Sequence, residues 1–150
     1  MRHYGRFAAM IATSTIAMLG LMYLNTYQLD HAFFSETRVY MALVMGSTMA
    51  VIMLSFMLSM HPNPRVNMAI FVGSTVVFVL ALWLVRSQAT IEDASYMRAM
   101  IPHHSIAILT SERANISDPR VRALADKIIK SQREEISQMQ ALIDELGRQR

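Results

Sequence analysis

Two thioethers and two imidazoles lie within eight residues of this 150-residue sequence. A proline directly precedes the two adjacent histidines and predicts a bend in their helix, because it removes a backbone donor and clashes with the preceding turn. Thioether and imidazole donors without a thiolate favour copper, and thioethers favour the reduced ion, Cu(I). The spacing therefore predicts a metal site, with solvated histidines beside core methionines as the alternative. The donors are Met97, Met100, His103 and His104, and the proline is Pro102.

Further candidate donors lie on the last predicted helix, whose seam alternates in steps of four and three residues. Gln132 and Glu135 occupy seam positions where apolar side chains are expected, so each must be paired, solvated or liganding something. Met139 continues the seam. Glu135 could instead only pair with a histidine or with Arg98. The predicted metal ligands are Met97, Met100, His103, His104, Met139 and Glu135.

Two helices carry these residues, one predicted over 91–113 and the other over 119–146. Asp118 followed by a proline at the first helical position predicts the start of the second helix, and Gly147 predicts its end. The first helix either runs straight out of the preceding apolar run or begins afresh at a capping box in residues 90–93.

The turn between these helices decides which residues face each other. If the chain turns midway, antiparallel pairing puts Met97 opposite about Ile136 and Met100 opposite about Arg133, to within one helical turn. This register brings the polar seam positions and Met139 alongside the methionine and histidine donors of the first helix.

The first 87 residues hold three long, nearly uncharged runs, each long enough for a helix to cross a bilayer core. A secretory signal peptide is disfavoured, because the first run is long, has no clear cleavage site and is followed by further runs. The predicted spans cover residues 7–24, 39–60 and 66–85. They form a transmembrane region, residues 1–87, followed by a helical hairpin domain, residues 88–150.

The net charge of +3 belongs to the apolar part, because residues 88–150 hold nine basic and nine acidic side chains. The high pI therefore reports membrane topology and does not indicate a nucleic-acid surface. Arg2 and Arg6 precede the first span and Arg65 follows the second. This distribution predicts an inner or plasma membrane protein with a cytoplasmic N-terminus and a periplasmic or otherwise extracytoplasmic C-terminal domain.

Nothing in the sequence predicts an enzyme. There is no nucleophile-and-base grouping and no phosphate loop. Neither histidine of the pair has a glutamate three residues before it, so the di-iron pattern is absent, and without cysteine there is no thiolate site. His3, His31 and His61 are isolated near span ends, which favours an interfacial position over a ligand role.

Methionines also recur in the second predicted span, at four-residue intervals. Such a ridge could pass a soft metal ion along the helix, but methionine is also a flexible packing residue, and packing is the favoured interpretation. Gly46 and Ser47 would allow a neighbouring helix to approach closely. The ridge consists of Met41, Met45, Met49, Met53 and Met57.

The hairpin sequence resembles the family known as domain of unknown function 305. That resemblance implies a helical, ferritin-like extracytoplasmic domain of a kind that in some members binds copper and is linked to copper resistance. It also implies that Met97, Met100, His103, His104 and Met139 are ligands. Many members have another methionine where Thr110 stands, which implies weaker binding here. The resemblance rests on residues 93–104, read DASYMRAMIPHH, and on Ala107, Ala125, Ile128, Ile129, Gln132, Glu135, Ile136 and Met139.

The expected fold is all-α, with three transmembrane helices followed by an extracytoplasmic antiparallel hairpin. A two-helix hairpin buries little, so we expect a homodimer or larger oligomer that completes a four-helix bundle. The expected function is copper binding, sequestration or relay, with the bilayer and copper-handling proteins as partners. A structural or signalling protein without metal, and a transporter using the methionine ridge, are the alternatives. Metal affinity should fall as pH drops through about 6.5, because a liganding imidazole must be neutral.

Overall fold

The computed structural model describes residues 2–24 and 26–148, and within these ranges every regular element is helical. Two short 3₁₀ turns, Leu29–His31 and Leu58–Met60, lie in the connections. The five α-helices are α1 (Arg2–Leu21), α2 (Glu36–Phe56), α3 (Pro64–Ser87), α4 (Asp93–Arg113) and α5 (Pro119–Arg148).

Three helices are long and apolar enough to cross a membrane, which confirms the three predicted candidate spans. They cover His3–Leu21, Glu36–Phe56 and Pro64–Ser87. The second predicted span ran to Met60, but α2 already ends at Phe56. The third begins earlier than predicted, because Asn63 caps α3 and its Oδ1 accepts from the backbone N–H groups of the first turn.

The described chain divides into two compact units. The three-helix unit comprises Met1–Met22 and Thr37–Thr90, and the hairpin unit comprises Tyr23–Glu36 and Ile91–Arg150. The second unit therefore includes a segment that the predicted boundary at residue 87 assigned to the transmembrane region. We call Tyr23–Glu36 the loop segment.

The core of the three-helix unit forms where small side chains let the helices approach. Phe7, Ala50 and Leu54 are buried there, and Met53 and Met57 of the methionine ridge are among the residues that pack against them. A Cβ added at Gly46 would collide with the side chain of Thr15 in α1. The close approach predicted at Gly46 is thus present. Packing against Met10, Ile11, Ile70 and Phe71 completes the cluster.

The hairpin unit is built from α4 and α5, which pack against each other in antiparallel orientation. Ile101, Ile108 and Ile136 form its buried core. Tyr27 and Phe33 of the loop segment pack on this core, so the hairpin receives a third layer from its own chain. From the sequence, we expected only a second copy of the chain to cover this core.

The end of α3 and the start of α4 decide whether α4 continues from α3 or begins as a separate helix. Gln88 ends α3 in the left-handed region, with φ of 52°, and α4 begins afresh at Asp93. The predicted capping box is not used, since the capping position is Glu92 and the Thr90 hydroxyl lies 2.8 Å from that of Tyr40.

The predicted start of α5 is confirmed, whereas its predicted end is wrong. Asp118 Oδ1 accepts from the backbone N–H of Arg120 at 2.8 Å, as a capping residue does. Hydrogen bonds from the Arg120 side chain and backbone lower the pKa of the Asp118 carboxyl. The helix continues through Gly147 to Arg148, because a single glycine near a helix end only weakens the last turn.

Candidate metal centre

The predicted ligands lie on the two helices of the hairpin unit, four of them on α4 and two on α5. Met97 is buried, whereas His103 is exposed. The other four, Met100, His104, Glu135 and Met139, are half-buried. Pro102 lies inside α4, which continues through it from Asp93 to Arg113, and the bend predicted there stays a prediction.

The closest polar contact among the predicted ligands joins His104 to Glu135. His104 Nδ1 lies 3.0 Å from Glu135 Oε2, and the two side chains are 15% and 42% exposed. The contact has the distance of an ion pair without the direction of a hydrogen bond, so Nδ1 is a buried atom without an aligned partner among the described residues. The other carboxylate oxygen accepts from the Ser131 hydroxyl at 2.6 Å, which orients Glu135.

The electrostatics of His104 favour its neutral form. Burial lowers the pKa of the imidazole below its ordinary value, and this effect outweighs the opposing charge of Glu135. The neighbouring His103 lowers the pKa further. Because an imidazole must be neutral to bind a metal, the protonation that would oppose binding occurs at a lower pH than for an ordinary histidine.

Met97 and Met139 share a groove that neither His104 nor Glu135 lines. One from each helix, they line this groove of about 520 Å³. Met139 also packs against the buried isoleucine core, so it lies between the groove and the hairpin interior. The other residues of the groove are Asp93, Tyr96, Leu142, Glu145 and Leu146.

The register of the hairpin differs from the predicted one. Arg133, expected opposite Met100, instead pairs with Glu112 near the end of α4, and Glu135 contacts His104. The extended conformation of Ala114 marks the end of α4. The prediction that Glu135 comes near a histidine nevertheless holds.

A site made only of carboxylates and imidazoles is not present in the described part of the chain. There, no three or more histidine, aspartate and glutamate side chains are grouped so that they could hold a metal ion. A metal centre in the hairpin would need donors of another kind, such as thioether sulfur. The residues fit a soft ion in this respect, because the Nδ1 side of His104 faces Glu135 and two methionines of the same helix pair share a groove.

Sequence reasoning missed the polar anchor beneath the site. Ser105, fully buried next to His104, accepts at Oγ from the backbone N–H of Tyr27 at 2.7 Å, and His31 Nδ1 lies 3.0 Å from the same oxygen. His31, which was predicted to lie at the membrane interface, is buried within the hairpin unit. The signal that could have revealed this anchor is the unusual number of aromatic residues in the loop segment, Tyr23, Tyr27, Phe33 and Phe34.

These features define an all-helical protein with three helices apolar enough to cross a membrane and a separate helical hairpin. Residues 85–150 match the family described as "Domain of unknown function (DUF305)". The chain is also similar to uncharacterized protein L153 of Acanthamoeba polyphaga mimivirus, with 34% identity over 144 residues, covering 91% of this chain and 93% of that protein. No solved structure matches the chain. The chain belongs to the DUF305 family.

Proposed function

We propose that this protein is a membrane-anchored copper-binding protein whose hairpin holds Cu(I) through methionine and histidine side chains at the extracytoplasmic face. Sequestration or relay of the ion is its role, without catalysis. The observation that carries the proposal is His104: a largely buried imidazole whose Nδ1 lies 3.0 Å from Glu135 Oε2, an arrangement that leaves Nε2 for a ligand. Bound copper would take part in no reaction, and its affinity for soft donors would hold it at the site.

Each residue has a distinct part in this proposal. His104 would bind through an imidazole kept neutral by burial, with Glu135 orienting its ring, as carboxylates orient many metal-binding histidines. Met97 and Met139 would supply the thioethers, and Met100 and the exposed His103 complete the candidate set. Thioether needs no deprotonation, so weak methionine-only binding would persist below the pH at which His104 is protonated.

The arrangement of the loop segment supports the proposed topology. Two spans separate the connection after the first span from the chain after the third, so both segments would lie on the same side of a membrane. The loop segment and α4 belong to one compact unit and share the hydrogen bond between Tyr27 and Ser105. Arg2, Arg6 and Arg65 favour the cytoplasm for the opposite side.

The test is anaerobic Cu(I) titration of the full-length protein in nanodiscs against a competing chelator. Changing His103 and His104 together to Ala should weaken binding at the hairpin by about ten- to a hundredfold or more. Met97→Leu with Met139→Leu should weaken Cu(I) binding while leaving Zn²⁺ binding unchanged. Met41→Leu is the matched control, an exposed methionine of α2. Unchanged Cu(I) binding in both double variants contradicts the proposal.

The main alternative is a structural or signalling protein whose hairpin serves only for oligomerisation. The observation in its favour is an exposed apolar stripe on α5, which a second copy could cover to complete a four-helix bundle. Mass measurement of the His103→Ala, His104→Ala protein separates the two functions, since metal binding should be lost and the oligomer retained. The stripe consists of Val121, Leu124, Ile128 and Leu142.

A further inference from the structure

His61, in the connection between α2 and α3, is only 2% exposed, although its sequence position predicted an interfacial side chain. Its Nδ1 lies 2.9 Å from the carbonyl oxygen of Met57. A carbonyl can only accept a hydrogen bond, so Nδ1 must carry the hydrogen and donate it. In the neutral ring this leaves the lone pair on Nε2. That atom is buried and has no hydrogen-bond partner among the residues that the structure describes.

The ring is held in place from several directions. The aromatic rings of Tyr4 and Phe7 on α1 meet it edge to face, with centroid separations of 4.8 and 5.5 Å. Asn67 of α3 donates from Nδ2 to the backbone carbonyl of His61 at 2.8 Å and accepts from the Tyr4 hydroxyl at 2.9 Å. The imidazole is therefore fixed before any ligand arrives, which lowers the entropic cost of binding one.

The His61 imidazole touches an apolar cluster against which several methionines pack. Phe7, which touches the imidazole, is also part of the buried cluster against which Met10, Met53 and Met57 pack. Met53 in α2 and Met57, just after its end, are the last two residues of the methionine ridge. No group of three or more histidine, aspartate and glutamate side chains suited to a metal occurs here or elsewhere in the described chain. A hard divalent ion would thus lack the oxygen ligands that it prefers.

We propose that His61 Nε2 and the thioethers at the C-terminal end of α2 form a second binding position for a soft monovalent metal ion. The hydrogen bond from Nδ1 to a backbone carbonyl is the usual arrangement behind a metal-binding imidazole, since it fixes the tautomer that leaves Nε2 available. A purely structural histidine explains the contact at Nδ1 and leaves Nε2 buried without a role. This position does not depend on the copper site proposed for the hairpin.

The experiment uses the full-length protein in nanodiscs, carrying His103→Ala and His104→Ala so that the hairpin imidazoles are absent. Ag(I) alone is the probe, because it is a redox-inert analogue of Cu(I). Titration should show a remaining equivalent of Ag(I). His61→Asn, whose amide can still donate to the Met57 carbonyl, should weaken its binding about tenfold or more, since the Nε2 atom is removed. Met57→Leu should weaken the same step, whereas the exposed Met41→Leu should not.

A second measurement keeps the test decisive if His61→Asn does not fold. In the protein with ¹⁵N-labelled histidine and His61 intact, Ag(I) should shift the Nε2 resonance of His61 and leave its Nδ1 hydrogen in place. The proposal is overturned if that resonance stays unchanged at saturation, or if a folded His61→Asn protein binds Ag(I) as the parent does. Failure of the hairpin site has a different signature: the His103→Ala, His104→Ala change would then leave total Cu(I) uptake unaltered.

Discussion

The three-helix unit and the hairpin unit satisfy their polar side chains in different ways. In α2 and α3, hydroxyl groups such as those of Thr48, Ser55 and Thr75 donate to carbonyls of their own helix one turn back. In the hairpin unit, the buried Ser105 hydroxyl instead joins two elements, since it accepts from the backbone N–H of Tyr27 in the loop segment. A helix surrounded by lipid must satisfy polar groups internally, whereas one in water need not. Hydroxyls bonded within their own helix are consistent with the three helices being apolar enough to cross a membrane.

The largest expected effect concerns the two cores. Ile101 of the hairpin unit and Leu54 of the three-helix unit are both 0% exposed. Ile101→Ala should cost about 2–5 kcal/mol of local stability, from lost transfer free energy and a new cavity. Leu54→Ala should cost roughly half as much, because lipid tails would surround the leucine just as well if the helices separated. Amide hydrogen exchange of α4 and α2 in nanodiscs measures both, and equal losses would contradict the contrast.

The next effect tests the close approach within the three-helix unit. Gly46→Ala should destabilise it by about 1–3 kcal/mol, because the new Cβ must displace Thr15 in a packed interface. Gly73→Ala is the matched control, with no heavy atom near the added Cβ, and should be neutral or slightly stabilising. The thermal unfolding midpoint in nanodiscs reports both changes. Thr15→Ala added to Gly46→Ala should restore part of the loss, and its failure to do so would locate the strain elsewhere.

A loss of stability of similar size should follow from removing the buried Ser105 hydroxyl, the polar anchor of the hairpin unit. Ser105→Ala takes away the partner of the Tyr27 N–H and of His31 Nδ1, and each buried polar group left alone costs about 1–3 kcal/mol. Thr110→Ala on the same helix removes only a hydroxyl bonded to its own helix, and should stay within about 0.5 kcal/mol. Hydrogen exchange of the loop segment distinguishes them, since only the first change should release it.

The smallest expected effect is a dependence of hairpin stability on pH in the metal-free protein. The pKa of folded His104 lies below that of the unfolded chain, near 6.5, because burial disfavours its charged form. The contribution of neutral His104 to the free energy of unfolding is therefore fully present above the pKa that His104 has in the unfolded chain. It is lost as pH falls toward the lower pKa of His104 in the folded protein. His104→Gln should flatten this part of the profile, measured as α4 hydrogen exchange between pH 7.5 and 5. An unchanged slope would assign the dependence to other groups.

Local sequence signals predicted the helices well. Asp118 and Pro119 predicted the start of α5, and apolar periodicity predicted the hairpin. The contact between Glu135 and His104 was among the predicted possibilities, because both lie on facing seams. The exact register was missed because it depends on the conformation of residues 114–118, where no periodic pattern operates.

Long-range contacts were harder to predict for a physical reason. Tyr27 and Ser105 are 78 residues apart in sequence, and such a contact leaves no periodicity in either segment. The burial of His61 was missed likewise, because it depends on Tyr4 and Phe7 from a helix some fifty residues earlier in the chain. An isolated histidine next to prolines has the same local sequence whether it is exposed or enclosed.

The hydrogen bond between Tyr27 and Ser105 can form only late in the synthesis of the chain. The loop segment leaves the ribosome first, yet its partner on α4 is made only after the second and third apolar helices have been synthesised. If these helices cross a membrane as proposed, failure of either one to insert would leave the two halves of the hairpin unit on opposite faces of the bilayer. The core of Ile101 and Ile108 would then lack the covering layer of Tyr27 and Phe33, so folding of the hairpin unit would depend on correct insertion.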